Sequence, residues 1–312
     1  MVQLGGGARG VTAAAVPLDF RVGARTLWSV RRRLQRVGWS LDDALVGGVA
    51  ALPAPEAGSQ GWLLTSLPES TLTQVVRPGF FVAVRQRYRR YYTDLDGTYD
   101  AWLAGLSGNA RSAVRRKGKR LAAHPDGVQV HLYRSPRELE VFRPLARPLA
   151  ARTYQERLLG MGLPENPAFL AEERALAAAD RVRAWLMLLG GRPIAYLWCS
   201  AEGGSLRYDH LGYDPDHAEL SPGTVLLARA FADLFAEGRF RRFDFTEGEG
   251  RHKRQFATGG VDCADALLLR GTLANRALAG ALGGFDGGVA LAKRAARHPR
   301  LAVLARRVAR AA

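Results

Sequence analysis

At 312 residues, with 47% hydrophobic and 24% charged residues, the chain is long enough for one large domain or two modest ones, and its composition rules out disorder as the default state. The formal net charge of +16, in which arginine far outweighs lysine, attracts polyanions: nucleic acid, anionic membrane surfaces or phosphorylated cofactors. Zinc-ligand spacing, a helix-turn-helix pattern and an RNP-like strand are all missing, which excludes the common nucleic-acid modules. The two cysteines, Cys199 and Cys263, sit in apolar strand-like stretches and read as buried free thiols rather than a disulfide or a metal pair.

Met1 to Val16 lacks the basic start and apolar run of a signal peptide, and no stretch reaches the roughly 18 to 20 apolar residues that span a bilayer. A cytoplasmic protein is expected, with peripheral contact at the inner face of the membrane as an option.

In chain order, Phe20 to Trp39 holds short apolar stretches around Arg31, Arg32 and Arg33. Ala50 to Gln60 has linker composition. Trp62 to Thr65 and Phe80 to Val84 read as strands. A dense segment, Arg85 to Arg120, follows. In it Thr98 is an N-cap candidate, Tyr99, Trp102, Leu103 and Leu106 recur at helical spacing, and a basic helix from Ser107 carries Arg111, Arg115, Arg116, Lys117, Lys119 and Arg120. Val128 to Tyr133 is a strand. Ser135 and Pro136 open a helix, a helical or irregular stretch runs through Tyr154 to Leu163, and Ala168 to Ala179 forms the next helix.

From Val182 the pattern sharpens into strands Val182 to Leu189, Pro193 to Ser200 and Ser205 to Tyr213, joined by Gly-Gly turns. A helix from Ser221 to about Glu237, and strands Phe240 to Phe245 and Ala264 to Arg270, complete the block. The tail, Phe285 to Ala312, is a basic helix broken near His298-Pro299. It suits either a solvated helix or an interfacial helix on anionic lipid.

A strand feeding a Gly-containing helix start makes a place for an anion, because the first N–H groups and the helix dipole both favour negative charge. Ser221-Pro222-Gly223-Thr224 has this character, with Ser221 expected as the cap. The order Tyr213-Asp214-Pro215, Leu220-Ser221-Pro222-Gly223-Thr224, Phe243-Asp244-Phe245-Thr246-Glu247-Gly248 and Lys253-Arg254-Gln255-Phe256, with the basic segment Leu106 to Lys117, resembles the GNAT superfamily. The likeness is to its BioF2-like or CelD-like (cellulose biosynthesis) acetyltransferases, which are similar in turn to the FemAB aminoacyl transferases. It covers roughly residues 85 to 272. The usual Arg/Gln-x-x-Gly-x-Gly/Ala phosphate loop is replaced by Ser-Pro-Gly-Thr.

The resemblance implies an α/β GNAT fold: a mixed, mainly antiparallel sheet flanked by helices, in two GNAT-like lobes. These would be a degenerate lobe at 1–134 and a C-terminal acyltransferase lobe at 135–275, followed by the basic tail at 276–312. It implies an N-acyltransferase that passes an acyl group from acyl-CoA, a co-substrate rather than a resident cofactor, to an amine in envelope or exopolysaccharide metabolism, by direct attack on the thioester. Ser221, Gly223 and Thr224, with Arg111 and Arg115 of the basic helix, would hold the donor phosphates. No metal is expected.

Amine attack needs a base, an oxyanion donor and protonation of the leaving thiolate. Glu247 and His210 are the candidate bases, and Lys253 a candidate stabiliser of negative charge. Tyr208 is a candidate proton donor and Asp209 a further polar candidate, with strand alternation expected to set His210 on the face of Leu206 and Tyr208. Other readings stay open: acylation of a lipid amine of sphingoid-base type, aminoacyl-tRNA-dependent transfer, and a non-catalytic polyanion-binding module. Nucleic acid other than tRNA is not expected as a partner.

Overall fold

The computed structural model describes residues 12–22, 25–48, 52–152, 162–248 and 250–297, apart from the side chains of 293–297. The stretch expected between Tyr154 and Met161, the helix break at His298-Pro299 and the tail beyond it lie outside the described residues. Two compact units emerge. One gathers Met1–Trp39, Val46–Arg87 and Cys263–Ala312, and the other Ser40–Leu45 and Tyr88–Asp262. The lobes expected from sequence divide the chain along a different line, at 134 and 275.

In the first unit, β1 (Ala14–Val22) and β2 (Arg25–Gly38) form an antiparallel hairpin. β2 then pairs in parallel with β3 (Gly61–Pro68), and β3 pairs antiparallel with the Cys263 to Leu269 part of β10 (Gly259–Arg270). The helix α8 (Leu273–Arg297) closes one face, packing Leu278, Leu282 and Phe285 with Val16, Leu18, Phe20 and Leu34. Trp62, Leu64, Leu67, Val37 and Trp39 build the other face. Gly61 is required where it stands: its φ is +140°, and a Cβ there would meet the Leu268 carbonyl oxygen at 1.9 Å.

The second unit has strand order β4-β9-β8-β7-β6-β5. Its strands are the Tyr88 to Asp94 part of β4 (Phe80–Asp94), β5 (Val128–Tyr133), β6 (Val182–Leu189), β7 (Arg192–Glu202), β8 (Ser205–Tyr213) and β9 (Arg242–Asp244). Besides the short α1 (Leu41–Val46), its helices are α2 (Tyr99–Gly105), α3 (Gly108–Ala122), α4 (Pro136–Arg152), α5 (Pro167–Ala178), α6 (Pro222–Glu237) and α7 (Arg251–Phe256). Alternation divides β6 cleanly. Trp185, Met187 and Leu189 enter a core with α2, α3 and α6, while Val182, Ala184 and Leu186 enter one with α4 and α5. A strand covered on both sides reads as a continuous apolar run. The α/β architecture, with a mixed sheet flanked by helices, is as expected.

Local signals set the helix starts. The side chains of Thr98, Ser107 and Asn166 accept hydrogen bonds from the N–H groups of Ala101, Ala110 and Phe169. Ser135 and Glu138 form a reciprocal capping box. One element differs in extent. The strand from Phe80 continues to Asp94, ten residues beyond the apolar stretch. Its arginines find carboxylate partners: Arg85 with Asp286, Arg87 with Glu69, Arg89 with Asp262 and Arg90 with Asp244. Paired charges hide a strand from a reading based on hydrophobicity.

Candidate functional site

The ladder between β8 and β9 is parallel and short: Ser205 faces Arg242, Leu206 faces Phe243 and Arg207 faces Asp244. There the two strands part. β8 runs on to Tyr213 beside β7, while the chain after β9 turns through Thr246 (φ +58°) and Gly248 (φ +87°) into α7. The opening is a cleft of ≈ 270 Å³ lined by Tyr208, Leu211 and Tyr213 of β8, Gly223, Thr224 and Leu227 of α6, and His252 and Phe256 of α7, among others.

The N-terminus of α6 forms one wall. Ser221 holds the N-cap position the sequence suggests, but not through its side chain. It takes a left-handed conformation (φ 55°, ψ 48°), and its side chain makes no capping bond. Its carbonyl instead accepts from Thr224 N at 3.0 Å, while Pro222 occupies the first helical position. Gly223 lies close to β8, and a Cβ added to it would stand 3.3 Å from both Leu211 and Tyr213. Ser221, Gly223 and Thr224 therefore come together on the cleft.

The basic helix contributes different residues from those chosen. Lys117 Nζ donates to Thr224 Oγ1 at 3.5 Å, and Arg120 donates to the Glu219 carbonyl at 3.2 Å, so both bring positive charge to the start of α6. Arg111 turns away and donates to the Ala104 carbonyl at 2.6 Å. Arg115 borders a separate groove with Tyr99, Leu103 and Val225. Helical spacing assigns residues to faces, but only the packing of α3 on α6 decides which face meets the helix start.

Along β8, alternation fails at one point. The register with β7 shifts between Trp198 and Cys199, so Trp198 faces His210 while Cys199 faces Tyr208, and Asp209 is the extra residue. Tyr208, Leu211 and Tyr213 therefore share the cleft face. His210 instead lies against Trp198 and Phe169, at centroid distances of 5.8 and 5.9 Å, with Trp198 belonging to the α4–α5 core. The expected sharing of a face by His210 and Tyr208 is corrected by this bulge. Asp209 is occupied structurally, accepting from Ser200 N and Oγ at 2.8 and 2.6 Å and pairing with Arg207 at 3.4 Å. Burial pushes its carboxyl above the usual range, against the pull of Arg207 and Ser200.

Tyr208 does face the cleft, and burial raises its hydroxyl pKa, so it stays protonated. Lys253 is buried, and its ammonium donates to the carbonyls of Phe245 (2.7 Å) and Glu247 (2.6 Å). Burial lowers its pKa, while Glu247 and Asp244 oppose the shift. This lysine fastens the loop after β9. Lys253→Met would strip both carbonyls of their donor, with an expected loss of about 1–3 kcal/mol in denaturant unfolding. Glu247 is exposed, and its backbone rather than its carboxylate engages Lys253.

His252 was not selected from the sequence. It lies on the cleft wall with its ring 6.0 Å from that of Tyr208. The residue keeps substantial solvent exposure, but partial desolvation on the cleft wall lowers its pKa and neighbouring Lys253 lowers it further, which favours the neutral imidazole at pH 7. A six-residue helix offers too little periodicity to register in sequence. The one available signal is the four-residue spacing of His252 and Phe256, which puts both on one face. Among the described residues no cluster of His, Cys, Asp and Glu is placed to hold a metal ion, and no helix is long and apolar enough to cross a membrane.

Residues 108–254, which span the cleft and its basic helix, match the family model for the acetyltransferase (GNAT) domain. The stretch from 108 to 254 is thus similar to a GNAT domain, over just under half of the chain. Among solved structures, the C-terminal domain assigned to a lysylphosphatidylglycerol synthetase of Agrobacterium fabrum is similar at 12% identity, over 88% of this chain and 87% of that one, with a TM-score of 0.54. FemX is similar at 11% identity, over 82% and 88%, with a TM-score of 0.51. At such identities the likeness is one of fold alone. No curated protein matches the chain in sequence.

Proposed function

We propose that this protein is an N-acyltransferase that uses the cleft to pass an acyl group from acyl-CoA to an amine. The finer BioF2-like or CelD-like assignment, and a role in envelope or exopolysaccharide metabolism inside the cell, belong to the same proposal. The observation that carries it is the parting of β8 and β9 beside a helix start flanked by Lys117 and Arg120. An extended, amide-bearing donor arm fits a notch where one strand continues without its neighbour. The donor's phosphates suit the α6 dipole and the two cations.

In this reading the thioester carbonyl lies near Tyr208 and His252. The amine nitrogen attacks the carbonyl carbon, and neutral His252 takes the proton that the nitrogen must lose. The C–N bond forms, the C–S bond breaks, and the departing thiolate takes a proton from the Tyr208 hydroxyl, which burial keeps protonated. His252 then gives up its proton and Tyr208 regains one through solvent, so that both groups are reset. The likeness in fold to FemX and to the lysylphosphatidylglycerol synthetase domain keeps aminoacyl-tRNA as the rival donor, and a basic α3 suits that polyanion equally.

The test is calorimetry of the purified protein with acetyl-CoA and palmitoyl-CoA. Micromolar binding that weakens at least tenfold in Lys117→Gln is expected. No binding to either thioester would overturn the acyl-CoA reading and direct the search to aminoacyl-tRNA. The base assignment has its own test. His252→Gln should lower kcat by about 10²–10⁴-fold, the range for general-base catalysis. Because its folded pKa lies below the ordinary imidazole value of about 6.5, wild-type kcat/KM should stay level as pH falls through 6.5 and drop only at lower pH. That limb should be missing in the variant. A limb that persists unchanged would assign the base elsewhere.

A further inference from the structure

The first unit exposes large apolar side chains at one end. Trp28 is 65% exposed, Leu27 55% and Val22 47%. The hairpin register gathers them, because Phe20 faces Trp28, Arg21 faces Thr26 and Val22 faces Arg25. Trp28 does not swing loose. It stacks on Phe20 at 5.4 Å, and Phe20 in turn meets the edge of Phe285 of α8 at 5.4 Å. The exposed indole is thus held on a rigid base.

From Arg25 at this apolar end a row of arginine runs along β2. Arg21 pairs with Asp19 and Arg33 reaches Glu56 at 4.0 Å. Arg25, Arg31, Arg32 and Arg36 form no ion pair among the described residues. This contrasts with β4, where Arg85, Arg87, Arg89 and Arg90 all have carboxylate partners.

α8 converges on the same end. Near its start, Asn275 donates to the Gln60 side chain, and Gln60 N donates to the carbonyl of Arg33, whose partner on β1 is Ala15. Ten residues along the helix, Phe285 meets Phe20. The helix therefore runs alongside β1 towards the hairpin end. It continues twelve residues past Phe285 to Arg297, about 18 Å at helical rise, whereas β1 ends two residues after Phe20. Leu291, 68% exposed, belongs to that projecting length.

We infer that this end of the first unit, made by the β1–β2 hairpin and the projecting part of α8, is a docking surface for an anionic lipid bilayer. The indole of Trp28 suits the headgroup level, Leu27 and Val22 enter the acyl boundary, and the unpaired arginines meet lipid phosphates. The charge complementarity selects the partner: a neutral surface would leave Arg25, opposite Val22, and Arg31, three residues from Trp28, without a counterpart. The inference is independent of the proposed acyl transfer, because none of these residues lines the cleft.

The test is co-sedimentation of the full chain with phosphatidylcholine vesicles, with and without phosphatidylglycerol. Binding only to the anionic vesicles is expected. The pair Leu27→Ser/Trp28→Ser should weaken it at least tenfold, and Arg25→Ser/Arg31→Ser by about fivefold per arginine. Matched thermal melts would show that both variants fold. Equal binding to neutral vesicles, unchanged binding by both folded variants, or no binding at all would overturn the inference. So would a protein that binds RNA through these same residues and ignores vesicles.

Discussion

Arg90→Met should be among the most damaging single substitutions in the second unit, with an expected loss of about 3–5 kcal/mol. The guanidinium and the Asp244 carboxylate are 4% and 0% exposed and meet through two bonds, Nε to Oδ1 at 3.1 Å and the second to Oδ2 at 2.5 Å. Removing the cation leaves a carboxylate in a place where water cannot solvate it. Asp244 also accepts from Thr246 N at 2.8 Å, so the same loss loosens the left-handed turn that aims the chain towards α7 and His252. Chemical denaturation followed by tryptophan fluorescence measures the first effect. The double variant Arg90→Met/Asp244→Asn should recover part of the loss, because it removes the orphaned charge. A single variant within 1 kcal/mol of wild type would mean that Asp244 finds another partner or takes up a proton at little cost.

The second large effect is on the donor. Gly223→Glu should weaken acyl-CoA binding at least 100-fold, about 2.7 kcal/mol or more. Its Cβ enters at 3.3 Å from Leu211 and Tyr213, and its carboxylate stands at the helix start where the proposal seats a phosphate, so like charges meet. Gly223→Ala separates the two causes. It introduces only the crowding, and the flexible ends of Leu211 and Tyr213 can give by a few tenths of an ångström. About tenfold weaker binding is expected from it. If calorimetry finds Gly223→Glu as tight as wild type, the donor does not sit at α6.

Much of the second unit is legible in the chain itself, because its determinants are local. The caps at Thr98, Ser107, Ser135 and Asn166 are side-chain oxygens reaching N–H groups three residues on. The Gly190-Gly191 turn needs two positive φ values, 56° and 76°, which glycine supplies at no steric cost. The apolar runs of β6 to β8 are long enough to be strands and nothing else. The helix from Pro222 with Gly223 near its start was likewise visible, and with it one wall of the cleft.

What the sequence could not supply is everything fixed by partners distant in the chain. The dense arginines of β4 look like a solvated basic segment until Glu69, Asp244, Asp262 and Asp286 arrive to pair with them. A single extra residue, Asp209, reverses the facing of His210, and nothing in the order of side chains marks where β7 and β8 slip. Periodicity displays the charges of α3 but cannot say that Lys117 and Arg120, rather than Arg111 and Arg115, meet the start of α6. His252 enters the cleft only because Lys253 is fastened to two carbonyls of the preceding loop. Local chemistry thus determined the elements of this protein, whereas register, ion pairing across long sequence separations and helix packing, all free energies of assembled tertiary structure, decided which residues share the cleft.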